Sequence, residues 1–164
     1  MSSTDDTRAA IRKTITSFLD AYIAAVEQPD KSSELLMRDL TPSCMRFIRP
    51  AAMVRSFGLD PAKGEDRDTY AARMKGELLI LATARINIVK DSVIIDAENS
   101  CAAFRSEHWL TLKGRPETML EFAWFMDFDK DAKIEKIVQV IDLAECVKYV
   151  ETMKEVAKEL GGLA

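Results

Sequence analysis

The sequence predicts an α+β fold, and three observations support that prediction. Apolar residues first recur at helical spacing, then alternate with polar residues over most of the second half, and return to helical spacing near the end. Strands that follow one another through short turns form an antiparallel sheet, and most of the helices precede them here. With 164 residues, 48% of them hydrophobic, residues 1–164 are expected to form one domain around one core.

Two helices are predicted at the start of the chain. Thr4 can cap the first helix and Pro29 ends it, because proline cannot continue the helical hydrogen bonds. A shorter helix, SELLMRDL, can begin at Ser32 or Ser33 and stops before Pro42. The apolar stripe of the first helix comprises Ile11, Ile15, Phe18, Leu19, Tyr22, Ile23 and Val26.

A broken stretch and a third helix follow. The segment CMRFIRPAAMVRSFGLD predicts short strand pieces and loop, because Pro50 and Gly58 interrupt it. The third helix begins at Asp66 and carries a one-sided apolar stripe made of Tyr70, Met74, Leu78 and Leu81.

The remainder of the chain predicts the sheet and one last helix. Alternation predicts strands in ARINIVKDSVIID, in the hairpin of residues 106–129 and in KIEKIVQVID. The final helix, AECVKYVETMKEVAKEL, runs to residue 160 and ends at Gly161-Gly162.

The hairpin SEHWLTLKGRPETMLEFAWFMDFD contains the one histidine of the chain. If Gly114 and Arg115 form a two-residue turn, His108 lies directly opposite Glu121. A three- or five-residue loop would place every side chain on the other face. Ionisable groups within an apolar sheet face are unfavourable unless they are paired or used. The pair is therefore either a structural contact that sets strand register or a catalytic dyad.

The predicted register assigns the side chains to two faces. The next strand adds Asp142 to the His108 face, together with Phe104, Ser106, Leu110, Met119, Ala123, Phe125, Val138 and Val140. The outer face carries Trp109, Leu120, Phe122, Trp124, Ile137 and Ile141. If the helices cover the His108 side, a monomer would leave this apolar surface in water, so we expect a homodimer through the outer sheet face.

Composition argues against several other classes of partner and site. A net charge of −4 with scattered basic residues gives no basic stripe, so no nucleic acid partner is expected. One histidine and three well-separated cysteines, Cys44, Cys101 and Cys146, predict neither a disulfide framework nor a metal site. A polar, acidic start and the absence of a long apolar run predict a soluble, cytoplasmic protein without a membrane span.

Two features of the sequence resemble a known family. The element order, the late hairpin and a last strand ending in aspartate resemble the superfamily that includes scytalone dehydratase, ketosteroid isomerase, SnoaL-like polyketide cyclases and nuclear transport factor 2. The stretch MRDLTPSCMRFIRPAAM is similar to a motif of small fungal SnoaL-like proteins of polyketide, meroterpenoid and indole-alkaloid pathways. The resemblance covers roughly residues 8–149. It implies a cone-shaped α+β barrel, in which a curved antiparallel sheet wraps around N-terminal helices.

The resemblance also implies a reaction class. Members isomerise, cyclise, dehydrate or rearrange a preformed scaffold inside the cone, without metal or redox cofactor and commonly as homodimers. Arg38 matches the arginine of the fungal motif and is expected to hold a developing anion. The chain lacks a second histidine and an evident tyrosine and aspartate oxyanion pair, so neither scytalone dehydratase nor ketosteroid isomerase activity is expected as such.

From these residues we predict a cofactor-independent isomerase or cyclase acting on a hydrophobic small molecule. His108 and Glu121 would transfer a proton near neutral pH, where the reference pKa of histidine, about 6.5, lies. Asp142 or Tyr70 would return the proton, and Tyr70 could also donate to a substrate carbonyl. The substrate-binding residues would be Tyr70, Phe104, Phe125 and Met119. The alternative is a non-catalytic binding or dimerising module of the same fold, which has no need of converging ionisable groups.

Overall fold

A computed structural model, which describes residues 3–56 and 58–161, shows helices packed against one curved, open sheet. The helices are α1 (Thr4–Glu27), α2 (Ala51–Ser56), α3 (Arg67–Ile80) and α4 (Leu143–Glu159), with a 3₁₀ helix at Ser33–Met37. The strands are β1 (Leu40–Arg49), β2 (Leu81–Ile88), β3 (Ile94–Asp96), β4 (Cys101–Leu112), β5 (Glu117–Phe128) and β6 (Ile134–Ile141). Within the described residues the sheet order is β1-β6-β5-β4-β2, and β3 also pairs with β4. The α+β class is confirmed.

The two longest predicted helices before the sheet are confirmed, with small changes at their ends. The N-cap of α1 is Ser3 rather than Thr4, and its hydroxyl accepts a hydrogen bond from the Asp6 amide at 3.1 Å. Asp66 caps α3 by accepting from the Thr69 amide at 2.8 Å. The predicted stripes of both helices face the core, where Ile11, Ile15, Phe18, Leu19, Val26, Tyr70, Met74 and Leu78 are buried.

The region between α1 and α3 differs from its prediction. The expected second helix is a single 3₁₀ segment, and β1 begins at Leu40, before the proline that was expected only to stop that helix. Pro42 lies within an irregularity of the β1–β6 register, where its missing N–H is tolerated. β1 pairs in parallel with β6, so the sheet is mixed rather than purely antiparallel. Residues 51–56, predicted to be strand or loop, form α2.

The predicted register of the β4–β5 hairpin is wrong. Thr111 pairs with Glu117, which leaves an odd number of residues between them where the predicted turn had an even number. Gly114 adopts a φ of 71°, a left-handed conformation that glycine takes without strain. As a result His108 lies opposite Leu120, and Glu121 lies on the other face. A shift of one residue reverses the face of every side chain on the partner strand.

The correct register redistributes the two faces of the sheet. The inner face packs against the helices, as the edge-on contact of Phe18 with Trp124 at 5.7 Å shows. Of the face predicted to mediate a dimer, Leu120, Phe122, Trp124, Ile137 and Ile141 lie inside instead. The outer face carries Ala103, Arg105, Glu107, Trp109, Met119, Glu121, Ala123, Phe125, Val138 and Val140. Among the described residues, none of the helices combines the length and apolar character that a membrane crossing requires.

Candidate functional site

A cavity of about 570 Å³ lies between the inner face of the sheet and helices α1, α3 and α4. This volume is within the range of small-molecule sites. Most of its wall is apolar, with Phe18, Met74, Leu110, Leu120, Phe122 and Met153 among its members. Polar side chains interrupt the wall in two groups, one on the sheet and one on the helices, and the segment before α3 adds Asp60, Lys63 and Glu65.

The sheet group is built around His108, which is 5% exposed. Its Nε2 lies 2.9 Å from the Ser106 hydroxyl, and the Trp124 indole N–H donates to the same hydroxyl at 2.8 Å. A hydroxyl has one proton, so after accepting from Trp124 it can donate that proton to Nε2. We therefore assign the imidazole proton to Nδ1.

His108 is neutral in this environment. Burial, together with the positive charge of Arg46, lowers the pKa of His108 to about 3. The proton exchange expected near neutral pH from the reference pKa therefore does not apply to this imidazole. It remains a neutral hydrogen-bonding group over the physiological range.

Arg46 is the charged member of the sheet group and is 7% exposed. Its guanidinium lies 4.3 Å from the ring of Tyr70 and 5.5 Å from the ring of Trp124. Nη2 donates to the Gln139 side-chain oxygen, whereas Nε and Nη1 are buried and have no hydrogen-bond partner among the described residues. This side chain lies on β1 and contributes a buried cation to the cavity wall.

The helix group is built around Glu77 of α3. The Tyr22 hydroxyl donates to one Glu77 oxygen at 2.7 Å, and Arg73 Nη1 lies 3.8 Å from the other. Burial and the nearby Glu77 charge raise the pKa of Tyr22 and of Tyr149. The Tyr149 hydroxyl is buried and has no hydrogen-bond partner among the described residues. Both tyrosines therefore keep their protons at neutral pH.

The two groups meet across the cavity. The rings of Tyr22 and His108 lie 6.1 Å apart, which joins the helix group to the sheet group on one side. On the other side Tyr70 lies between Arg46 and Arg73, whose guanidinium is 5.4 Å from its ring. The resulting circuit of neighbours around the wall is Arg46, Trp124, His108, Tyr22, Glu77, Arg73 and Tyr70. The cavity wall therefore combines a carboxylate, a neutral imidazole, two guanidinium groups and phenolic hydroxyls with apolar side chains.

The structure brings together only two of the predicted site residues, His108 and Tyr70, both of which line the cavity. Arg38 is half exposed at the end of the 3₁₀ helix, and its guanidinium donates to the Ser17 carbonyl at 2.9 Å. Glu121 is exposed on the outer face of the sheet. Asp142 is also exposed and caps α4 by accepting from the Glu145 amide at 3.1 Å.

The remaining predicted binding residues do not line the cavity. Phe104 is buried on the inner face, where it stacks on Trp124 with 6.0 Å between ring centroids. Phe125 is 52% exposed, and both it and Met119 lie on the outer face. The placements of Phe125 and Met119 follow from the one-residue shift of β5, which reversed the faces of its side chains.

Sequence reasoning missed Arg46, Glu77 and Tyr22. Each carried a signal, because each is a polar group inside an apolar period. Arg46 falls between Cys44 and Ile48 on the inward positions of a strand, and Glu77 lies beside Leu78 on the buried side of α3. Pro50 and Gly58 obscure the strand signal, because they interrupt the apolar pattern of the segment that contains Arg46.

The described part of the chain offers no cluster of three or more histidine, cysteine or acidic side chains that could hold a metal ion. The cysteines are unpaired, and Cys146 lies in the cavity wall. Burial raises the pKa of the Cys44 and Cys146 thiols to about 11, so both are protonated at neutral pH.

Comparisons by sequence find no match, either among protein-family models or among curated proteins. Comparisons by structure find many. The BvnE pinacolase from Penicillium brevicompactum is 12% identical, with a TM-score of 0.74 over 92% of this chain and 94% of that one. PrhC from Penicillium brasilianum NBRC 6234 is 14% identical, with a TM-score of 0.75 over 96% and 95%.

A bacterial structure extends the likeness beyond fungi. A steroid delta-isomerase from Pseudomonas aeruginosa is 12% identical, with a TM-score of 0.55 over 93% of this chain and 92% of that one. Several of the matching structures carry the name NTF2-like. The chain therefore has the NTF2-like cone fold, as its sequence resemblance implied.

Proposed function

We propose that this protein is a cofactor-independent isomerase or cyclase that moves protons on a hydrophobic scaffold bound in the cavity. The observation that carries the proposal is the Glu77–Tyr22 pair, which lies next to neutral His108 in a mostly apolar wall. Proteins of the same fold that are named as a pinacolase and a steroid delta-isomerase support this reaction class. A polyketide, meroterpenoid or alkaloid of fungal specialised metabolism is the scaffold class we propose.

The chemistry follows from the positions of these groups. The Glu77 carboxylate removes a proton from carbon beside a scaffold carbonyl, and the same carboxyl returns it at a second position, so that atoms and charge balance over the cycle. The Tyr22 hydroxyl donates to Glu77 and keeps the carboxylate oriented. His108, protonated at Nδ1, donates a hydrogen bond to the scaffold oxygen. In an apolar cavity each of these interactions is stronger than in water.

Proton exchange on a probe ketone tests this proposal without knowledge of the natural substrate. The probe is 2-tetralone in D₂O, and deuterium incorporation beside its carbonyl is followed by NMR. Wild-type protein is expected to accelerate exchange, and Glu77→Gln to lose on the order of 10² or more of that rate, as is typical of a lost general base. Glu121→Gln, which removes an exposed carboxylate on the outer face, is the matched control and should exchange like wild type.

Two results would count against this catalytic role. Wild-type protein that binds 2-tetralone without accelerating exchange would favour the alternative of a non-catalytic binding module. A Glu77→Gln variant as fast as wild type would place the base elsewhere in the cavity.

We further propose that the protein forms a homodimer through the outer face of the sheet. Support comes from Phe125, exposed at the centre of this face between partly buried Ala123, Val138 and Val140. Met119 and Trp109 continue the apolar surface toward the hairpin turn. A second copy of the chain would cover this surface, while the cavity lies on the opposite side of the sheet.

A further inference from the structure

Arg46 has more hydrogen-bonding capacity than the protein satisfies. Its guanidinium has five N–H donors on three nitrogens. Nη2 donates to the Gln139 oxygen, while Nε and Nη1, which carry three of the donors, are buried without a partner among the described residues. Gln139 is itself 5% exposed, so this side of the guanidinium is fixed by a buried amide.

The nearest acids of the wall do not neutralise Arg46. Glu65 exchanges backbone hydrogen bonds with Arg46 at 2.8 and 2.7 Å, yet its carboxylate binds Arg73 at 2.6 and 3.0 Å. Glu77 also has Arg73 as its cationic neighbour. No described carboxylate forms an ion pair with Arg46. A buried cation without a partner is strongly unfavourable, so the site is incomplete as it stands.

The guanidinium is also held in one orientation. It lies over the ring of Tyr70 at 4.3 Å and near that of Trp124 at 5.5 Å, and the Gln139 contact adds a third restraint. A planar donor set held in this way is suited to oxygen acids, which arginine binds through charge-assisted hydrogen bonds. A ligand group would therefore meet Arg46 without further ordering of the side chain.

We propose that the ligand of this cavity carries an acidic oxygen, either a carboxylate or an ionising enol or phenol, that binds Arg46 through Nε or Nη1. This inference rests on the proposed function, because it concerns the ligand of the same cavity, and it specifies the chemical class of that ligand. In this arrangement the scaffold would have two ends, with the anionic oxygen at Arg46 and the reacting carbons near Glu77. A purely hydrocarbon ligand would leave the guanidinium without a hydrogen-bond partner, and an alcohol would offer an acceptor without neutralising the charge.

Two probes of similar size and shape test the inference by binding alone. They are 1-naphthoate and 1-naphthalenemethanol, which differ in carrying a carboxylate or a neutral alcohol, and their Kd values are measured by titration calorimetry at pH 7. Wild type is expected to bind the carboxylate at least about tenfold more tightly, the ratio that one charge-assisted hydrogen bond supplies. Equal affinity, preference for the alcohol, or no binding of either probe at millimolar concentration would overturn the inference.

Substitution then assigns the effect to Arg46. Arg46→Met keeps an unbranched side chain and removes the charge, so it should lose at least about tenfold in affinity for 1-naphthoate and clearly less for the alcohol, whose oxygen accepts only a hydrogen bond without charge pairing. Arg85→Met is the matched control, because Arg85 stacks on Trp109 outside the cavity at 4.6 Å. Binding of 1-naphthoate that is unchanged in a folded Arg46→Met variant would also overturn the inference.

The test is independent of catalysis. The comparison of two probes on wild type needs no variant to fold, and neither probe needs to be turned over. Carboxylate selectivity without exchange on 2-tetralone would retain the binding inference and refute the proposed catalyst, whereas exchange without selectivity would do the reverse.

Discussion

At the scale of single residues, burial decides which ionisable groups belong to the site. Glu121 and Asp142 are exposed and keep ordinary surface roles, whereas Arg46 and His108 are buried beside one another in the cavity wall. A buried charge is tolerated only where it is paired or used. The buried polar groups, rather than the most prominent ones in the sequence, therefore define the candidate chemistry.

The burial of His108 predicts that the stability of the fold depends on pH. Its pKa is lowered to about 3 in the fold, against about 6.5 in the unfolded chain. The unfolded state therefore binds this proton first, and stability is fully present above about pH 6.5 and falls as the pH drops toward 3. We expect wild type to lose on the order of a few kcal/mol across this window relative to His108→Gln.

The measurement is the free energy of unfolding in urea at steps between pH 7 and 4. Surface carboxylates titrate alike in both proteins, so the difference between the two curves isolates the histidine. Parallel curves between pH 6.5 and 5 would show that His108 does not have a lowered pKa.

At the scale of elements, the segment from Gly58 to Glu65 closes one side of the cavity and is tied to β1. Glu65 bridges to Arg46, and Gly64 lies against the same strand with a φ of 66°. A Cβ at Gly64 would lie 2.8 Å from the Phe47 ring and 3.0 Å from the Arg46 carbonyl oxygen. The position therefore combines a left-handed backbone with close packing.

Gly64→Ala is accordingly expected to destabilise the protein more than Gly114→Ala. Both glycines have positive φ, which costs a residue with a Cβ about 1 kcal/mol, but Gly114 has open space around its Cα. The clash at Gly64 should add about 1 kcal/mol or more. Thermal unfolding of the two variants measures the difference, and equal losses would show that the loop yields without cost.

At the scale of the whole molecule, the two faces of the sheet have different environments. The inner face and the helices enclose the cavity, and the outer face presents Phe125 to solvent in the single chain. If this face is the dimer interface, Phe125→Lys should convert the protein to a monomer at micromolar concentration, because a buried unpaired charge opposes association.

Sedimentation velocity measures the change, and Leu160→Lys, an exposed apolar residue just after α4, is the control. The control should sediment as wild type does. A wild-type protein that is monomeric at tens of micromolar, or a Phe125→Lys variant that remains dimeric, would rule out this interface.

Local patterns were sufficient for much of the fold. The periods of α1 and α3, their capping residues and the alternation of the late strands depend on neighbours in sequence, and each is confirmed with changes of a few residues. The cone fold was implied by the resemblance of these elements to a known superfamily, and the structure has it. The prediction of a second helix was wrong because Thr41 and Pro42 belong to a strand that pairs in parallel with β6, and β6 is distant in the chain.

The sequence by itself determined helices α1, α3 and α4 and the presence of the hairpin. Tertiary structure alone decided the hairpin register. One residue more or less in a turn moves every side chain of a strand to the other face, and the local energies of the two turns differ little. Tertiary structure also decided the site, since Arg46, His108 and Glu77 come from three distant segments that only the packing of β1, β4 and α3 brings to one wall. Burial and unpaired hydrogen-bond donors are properties of that packing, and no local pattern contains them.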